Sequence, residues 1–405
     1  MTLSKLKKVG YELSDVNIVQ ADISFINHRA ECNPYVKFPN MDNDFYPVVV
    51  SPMGAVTDEH NYKTWLNEKF MCVVPRTVDI EKRLEIMFEA FASFSLNEAE
   101  DILKFVDLKD RTAYVCIDIA HGTMNRLYEV CKYLKHHYGQ QMIIMTGNVA
   151  NPNAYVYYAN AGIDYLRACI GTGSRCTTSA NVGVHYPTAT LLDELRMEKE
   201  RWEIEFGRPA PTKIIADGGI ANFDDIQKCL ALGADLVMSG SIFAKSWEAC
   251  GNIGYMHPDN LNMTDAIPEK VYLDKINGLE NALKDMLQDY EKYKEEIVQI
   301  TESKYKEEIA QITESLLKMK KRKPYREYYG MSTKRAQKET GGNGTTTAEG
   351  ISRPIPIEYN INKWADNMKS FLVSVMSYTD SKTLEELARN SELIINLSGD
   401  KQFRK

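Results

Sequence analysis

Apolar residues recur along the chain in short, nearly continuous runs at fairly even spacing. They are Pro47 to Met53, Phe70 to Val74, Phe91 to Leu96, Tyr114 to Ile119, Met142 to Met145, Tyr165 to Ile170, Lys213 to Ala216 and Leu236 to Ser239. A run that is apolar on both faces reads as a buried parallel strand rather than a half-exposed antiparallel one. Between the runs lie amphipathic stretches such as Asp79 to Ala90 and Asn125 to His137, whose apolar positions follow a helical period. Strands and helices alternating in this way predict parallel βα units. Eight runs are what a closed (β/α)8 TIM barrel needs, which is the first expectation, with an open doubly wound sheet second.

Barrel enzymes build their sites from the loops that follow the strands, and here those loops are rich in polar residues and glycine. Ser51-Pro-Met53-Gly54 follows the first run, Asp118 to Gly122 the fourth, and Thr146-Gly147-Asn148 the fifth. Gly171 to Cys176 follows the sixth, Asp217-Gly218-Gly219 the seventh, and Gly240-Ser241 the eighth. Each loop alone has a turn-residue explanation, but their joint register with eight strands does not. Cys176, beside Arg175 and Thr178, is a candidate nucleophile, the plain alternative being a small buried cysteine in a glycine turn. Asp217 ahead of two glycines suits a ribose, whose hydroxyls a carboxylate accepts; otherwise it caps the next helix. Gly219, Gly240 and Ser241 offer backbone amides and a hydroxyl to a phosphate near helix starts.

Composition narrows the classes. The net charge of −7 argues against a general nucleic-acid binder, although one nucleotide needs no basic face. No apolar run reaches the ~18 residues of a membrane span, and the start, MTLSKLKKVG, lacks a signal peptide's apolar stretch. A cytoplasmic protein with no membrane partner is expected. The eight cysteines contain no Cys-x-x-Cys pair and follow no Cys/His metal spacing, so most are expected to be reduced core residues.

The segment Gly171, Gly173, Ser174, Cys176, Thr178 resembles the active-site loop of the IMP dehydrogenase and GMP reductase family, Gly-x-Gly-Ser-x-Cys-x-Thr. Gly183 to Pro187, Gly-Val-x-Tyr-Pro, leans toward the reductases, and the resemblance runs from about Leu13 to the region of Leu397 with one large insertion. It implies that Cys176 is the catalytic cysteine, Thr178 the catalytic threonine and Glu349 the glutamate that works beside it. It implies further that Ser51, Met53, Asn148, Arg167 and Ser174 line a purine nucleotide. Asp217 and Gly218 would hold the ribose side, and Tyr328, Gly330, Met331 and Ser332 would cover base and phosphate. Asp118, Ala120 and Gly122 would lie along a nicotinamide cofactor, NADPH for a reductase or NAD for a dehydrogenase. Carbonyls of Gly171, Gly173 and Cys176 would hold a monovalent cation such as K+, in a homotetramer. The activity implied is reductive deamination of GMP to IMP. Oxidation of IMP is the alternative, and a catalytically inactive barrel scaffold the non-enzymatic one. The Arg-Tyr pair with which dehydrogenases activate water is missing between Met331 and Glu349, and Val74 passes through Pro75-Arg76-Thr77 without a regulatory module. Several family positions differ: Met-Asp is Met53-Gly54 here, His-Lys is Pro75-Arg76, Arg167 stands where reductases more familiarly have lysine, and the reductase loop's arginine near the cofactor is missing from Thr345 to Thr347.

Residues 251–324 form the insertion, which divides a barrel domain of residues 1–250 and 325–405. Its first part, Gly251 to Pro268, reads as loop. Ile276, Leu279, Leu283, Met286, Tyr290, Tyr293, Ile297 and Ile300 then alternate spacings of three and four, the seam of a coiled coil. The repeat YKEEIVQITES and YKEEIAQITES, twelve residues apart, makes the seam slip near Lys304. One long helix with a skip, or a hairpin bent around Thr301 to Lys304, fits this pattern. Its stripe predicts pairing with itself, another subunit, another protein or its own barrel.

Overall fold

The computed structural model describes residues 9–172, 181–259, 266–293, 299–330, 333–340 and 351–396. They fall into two compact units, one of residues 1–250, 329–351 and 359–405, the other of residues 251–328 and 352–358.

The first unit is a (β/α)8 barrel. Its strands are β1 (Val48–Val50), β2 (Val73–Val74), β3 (Phe91–Phe94), β4 (Ala113–Asp118), β5 (Met142–Val149), β6 (Tyr165–Ala168), β7 (Lys213–Asp217) and β8 (Leu236–Ser239), each inside or overlapping one of the apolar runs. All adjacent pairs are parallel, β8 returns beside β1, and a bridge from Val50 to Cys72 closes the ring. Residues alternate sides along a strand. Val49, Val73, Phe91, Cys116, Met145, Tyr165, Ile215 and Met238 therefore point into one core together, with Phe38 and Phe45 packed among them.

Helices Ile80–Ile86, Asn125–Tyr138, Thr188–Phe206 and Phe223–Ala231 follow their strands on the outside, apolar faces inward. Val16–Val19 pairs antiparallel with Glu392–Ile395, joining the two ends of the described chain. A paired device braces the amino-terminal end of the barrel. Asp164, just ahead of β6, accepts from the Ile144 amide (2.8 Å) and Lys135 Nζ (2.7 Å). Asp235, just ahead of β8, accepts from the Ile214 amide (2.7 Å) and Lys199 Nζ (2.8 Å).

The second unit holds a four-stranded sheet and a helical hairpin. Strand Ile253–Met256 pairs with Ile267–Pro268 on one side and Lys323–Tyr329 on the other, and Ser352–Pro356 completes the order. Part of the stretch expected to be loop is thus strand: Gly254 and Met256 are buried while Ile253 and Tyr255 are not, too short an alternation to stand out in the sequence. Helices Glu269–Tyr293 and Gln299–Lys320 pack on each other, and Lys320 reaches Glu280 at 2.7 Å. The two helices pack as a hairpin, and Thr301 to Lys304 lie inside the second helix; residues 294–298 lie outside the described residues. Ile276, Leu279, Ala282, Leu283, Met286 and Tyr290 are half-buried in the first helix; in the second, Ile309, Ile312 and Met319 are half-buried and Leu316 buried. The first helix begins well before Leu279 and runs through Gly278, where a side chain would meet open space.

Candidate active site

Strand periodicity sets the site. The inward positions of the core, carried two residues further along, are Ser51 after β1, Asp118 at the end of β4, Gly147 in β5, Arg167 in β6 and Asp217 at the end of β7. A polar layer thereby caps the apolar one at the carboxyl mouth, where barrels place their chemistry.

Arg167 is its centre. It is 5% exposed, and its Nε and Nη2 donate to Asp217 Oδ2 at 3.0 and 2.8 Å, while Nη1 donates to Asp118 Oδ1 at 2.6 Å. Burial alone would discharge the guanidinium, but the two carboxylates outweigh it and hold the arginine firmly cationic. Burial would likewise raise Asp118, yet Arg167 and then Arg76 outweigh it and keep this carboxyl below its ordinary value. Asn148 Nδ2 adds a third donor to Asp217 Oδ2 at 2.7 Å and reaches the Cys169 carbonyl at 3.1 Å. Asp217 Oδ2 is thus saturated, whereas Oδ1 accepts no hydrogen bond among the described residues.

Backbone approach needs glycine here. A Cβ at Gly147, where φ is +140°, would lie 2.4 Å from the Arg167 carbonyl oxygen, and one at Gly122 would lie 2.4 Å from that of Asn148. The Gly122 amide donates to Asn148 O at 2.9 Å, and Tyr158 Oη donates to Gly122 O at 2.6 Å. Ala120 lies between Asp118 and Gly122 on that loop, so the residues expected along a cofactor and those expected along a nucleotide share one bonded network.

The remaining expected residues divide as follows. Ser51 and Met53 are buried after β1, with the Met53 amide donating to Ser51 O at 2.8 Å. Ser241 Oγ donates to Ile220 O at 3.1 Å, linking the Gly240-Ser241 turn to the loop of Gly218 and Gly219. Gly171, Gly218 and Gly219 line a cavity of about 500 Å³ together with Glu12, Thr172 and His185. Gly330 accepts from Thr333 Oγ1 at 2.8 Å, and Tyr328 is a buried residue of the second unit. Gly173, Ser174, Cys176, Thr178, Met331, Ser332 and Glu349 lie outside the described residues.

Two site residues carry no assignment from the sequence. Arg76, after β2, sits 3.9 Å from Asp118 Oδ2, and its buried Nε has no partner among the described residues. Its place in the loop after β2 was legible as a departure from the family pattern. Tyr329 brings its hydroxyl within 3.2 Å of where a Gly54 side chain would begin, and donates to Glu339 at 3.1 Å. Burial pushes that phenol up to about 12. The signal for Tyr329 was the period of its strand, which gives adjacent tyrosines opposite faces.

Seven cysteines lie among the described residues. Six of them are buried, and burial pushes the thiols of Cys116, Cys131 and Cys169 up to about 12. Among the described residues no group of three metal-ligating side chains converges, and no helix is long and apolar enough to cross a membrane.

Fold and site together define a (β/α)8-barrel protein with a polar, charge-paired mouth over an apolar core. A family profile described as "IMP dehydrogenase / GMP reductase domain" matches residues 91–264. A GMP reductase of Oceanobacillus iheyensis is 31% identical over 250 residues, 60% of this chain and 72% of that protein. One from Lactobacillus delbrueckii subsp. bulgaricus is 32% identical over 253 residues, covering 60% and 73%. One from Bacillus cereus is 28% identical over 301 residues, covering 69% and 88%. The chain belongs to the IMP dehydrogenase/GMP reductase family.

Proposed function

We propose that this barrel is a GMP reductase-like oxidoreductase that exchanges the 2-amino group of a purine nucleoside monophosphate for hydrogen. The observation that carries the reading is Asp217, locked by three donors on one oxygen and, among the described residues, left with an open acceptor on the other, beside Gly218 and Gly219. An anchored carboxylate with a free oxygen suits the vicinal hydroxyls of a ribose. Relatives named GMP reductase support the same substrate.

In this reading the Cys176 thiolate bonds to carbon 2 of the purine and forms a covalent adduct. The bond from carbon 2 to the amino nitrogen then breaks, and ammonia leaves with a proton relayed through Thr178 and Glu349. Reduced nicotinamide, NADPH in our reading, supplies hydride to carbon 2 when bound. Departure of the sulfur as thiolate completes the exchange and releases IMP. The protein's own part on the cofactor side falls to Asp118, Ala120, Gly122 and Arg76, and Arg76 Nε, without a partner among the described residues, is a donor that a polar cofactor would satisfy. Arg167 keeps Asp118 ionised and holds both Asp118 and Asp217 in place, so neither reorients as substrate binds.

The pure protein is incubated with GMP and NADPH, and separately with IMP and NAD, while the absorbance of the reduced cofactor is followed. Oxidation of NADPH with GMP alone is expected, and C176A abolishes it. Reduction of NAD with IMP alone overturns the reading in favour of a dehydrogenase; no turnover of either leaves a scaffold.

A further inference from the structure

We propose that His185 is a positioning residue: a doubly protonated imidazolium that ties the carboxyl end of β6 to the N-terminal segment and so sets the backbone at Gly171 and Thr172. Its Nδ1 lies 3.1 Å from the Ile170 carbonyl oxygen and its Nε2 lies 2.6 Å from Glu12 Oε1. A carbonyl and a carboxylate only accept, so both bonds exist at once only when both ring nitrogens carry protons. A neutral ring keeps one and loses the other.

The acceptors are themselves held. Glu12 Oε2 takes the Thr188 amide at 3.0 Å, the Glu12 amide donates to Asp15 Oδ2 at 2.9 Å, and Tyr11 exchanges two hydrogen bonds with Thr190. Ile170 directly precedes Gly171 and Thr172, and the Thr172 carbonyl oxygen is 3.0 Å from where a Gly219 side chain would begin. The tie therefore fixes one wall of the cavity that Gly218 and Gly219 share. It also fixes two points, Ile170 and His185, between which the chain carries Cys176.

The charged groups around the ring are few. Asp225 lines the same cavity but accepts from the Ala221 and Asn222 amides. Lys228 is taken by Leu13 O and Asp224, and Glu194 by the Tyr186 hydroxyl. Of the groups named, only Glu12 bonds the ring.

That the tie serves the nucleotide rests on the proposed function; the tie itself does not. The test uses the full chain and the variants H185Q, E12Q and the double variant, with folding checked by circular dichroism. Alkylation of Cys176 by iodoacetamide, located by mass spectrometry, is timed between about pH 5.5 and 8.5, the interval an imidazole titrates across. The ratio of wild-type to H185Q rates is expected to change several-fold across it, E12Q to behave like H185Q, and the double variant to add nothing further. KM for GMP is expected to rise in both single variants at low pH with kcat little altered. A ratio flat with pH, or fully additive effects of the two substitutions, overturns the proposal. Labelling needs no turnover, so a pH-dependent ratio in a protein that does not oxidise NADPH with GMP defeats the functional reading and leaves the tie standing.

Discussion

Arg167 shows how one side chain organises a mouth. Replacing it with methionine removes a buried cation from between two largely buried carboxylates, and such a loss costs about 3–5 kcal/mol. R167M is therefore expected to unfold at markedly lower denaturant while keeping its slope, as read from equilibrium unfolding curves. Asp118 adds a pH dependence whose sign follows from its lowered folded value. A depressed carboxyl stabilises the fold above its unfolded pKa, about 3.9, and loses that contribution as pH falls through the folded value. The difference in unfolding free energy between wild type and D118N should stay constant from neutrality to about pH 5, then shrink below about pH 4. D217N keeps the shape of the ribose site and weakens its acceptor. A charge-assisted hydrogen bond of about 1.5–3 kcal/mol predicts a KM for GMP raised roughly 10- to 100-fold, measured by steady-state kinetics. These residues were legible because each sits one period beyond an apolar strand. Arg76 was visible only as an oddity, since its neighbour Asp118 arrives from a strand two places along the sheet and nothing local to either residue announces the pair.

Among elements, the eight strands were the clearest feature of the sequence, because both faces of each are buried and the apolar runs are uninterrupted. Their outer bracing was not legible. Asp164 and Asp235 look like ordinary turn aspartates, yet each ties a neighbouring strand to a helix lysine. K135M leaves Asp164 without its cation in a site where burial already raises the carboxyl. A loss of about 3 kcal/mol in stability is expected, with KM for GMP unchanged because the device lies at the opposite end of the barrel from the mouth. The hairpin was half legible: the three-and-four spacing marked the seam, and the internal repeat marked a slip. The sheet at its base was hidden, because pairing between Ile253–Met256 and Lys323–Tyr329 joins segments that carry no local sign of each other.

For the whole molecule, the sequence bounded the insertion at 251–324, while the compact unit reaches Tyr328 and takes in residues 352–358 through strand Ser352–Pro356. The strands flanking the hairpin, Ile267–Pro268 and Lys323–Tyr329, lie either side of Ile253–Met256. Both run antiparallel to it and so parallel to each other, and a connection between them must cross the middle strand, which takes about a dozen residues or more. Replacing residues 269–320 with a Gly/Ser linker of about fifteen residues, long enough for that crossover, is expected to leave the barrel's melting temperature and its KM for GMP in place, as calorimetry and kinetics would report. The ring of strands has one thin line. Between β1 and β2 it is joined by the Val50–Cys72 bridge and the Val50 amide to Met71 O at 2.8 Å, and β2 itself is only Val73–Val74. Deuterium should enter there ahead of the other staves, and warming should unroll the cylinder from that zipper outward, drawing Ser51 away from Arg76 before any other part of the rim gives way.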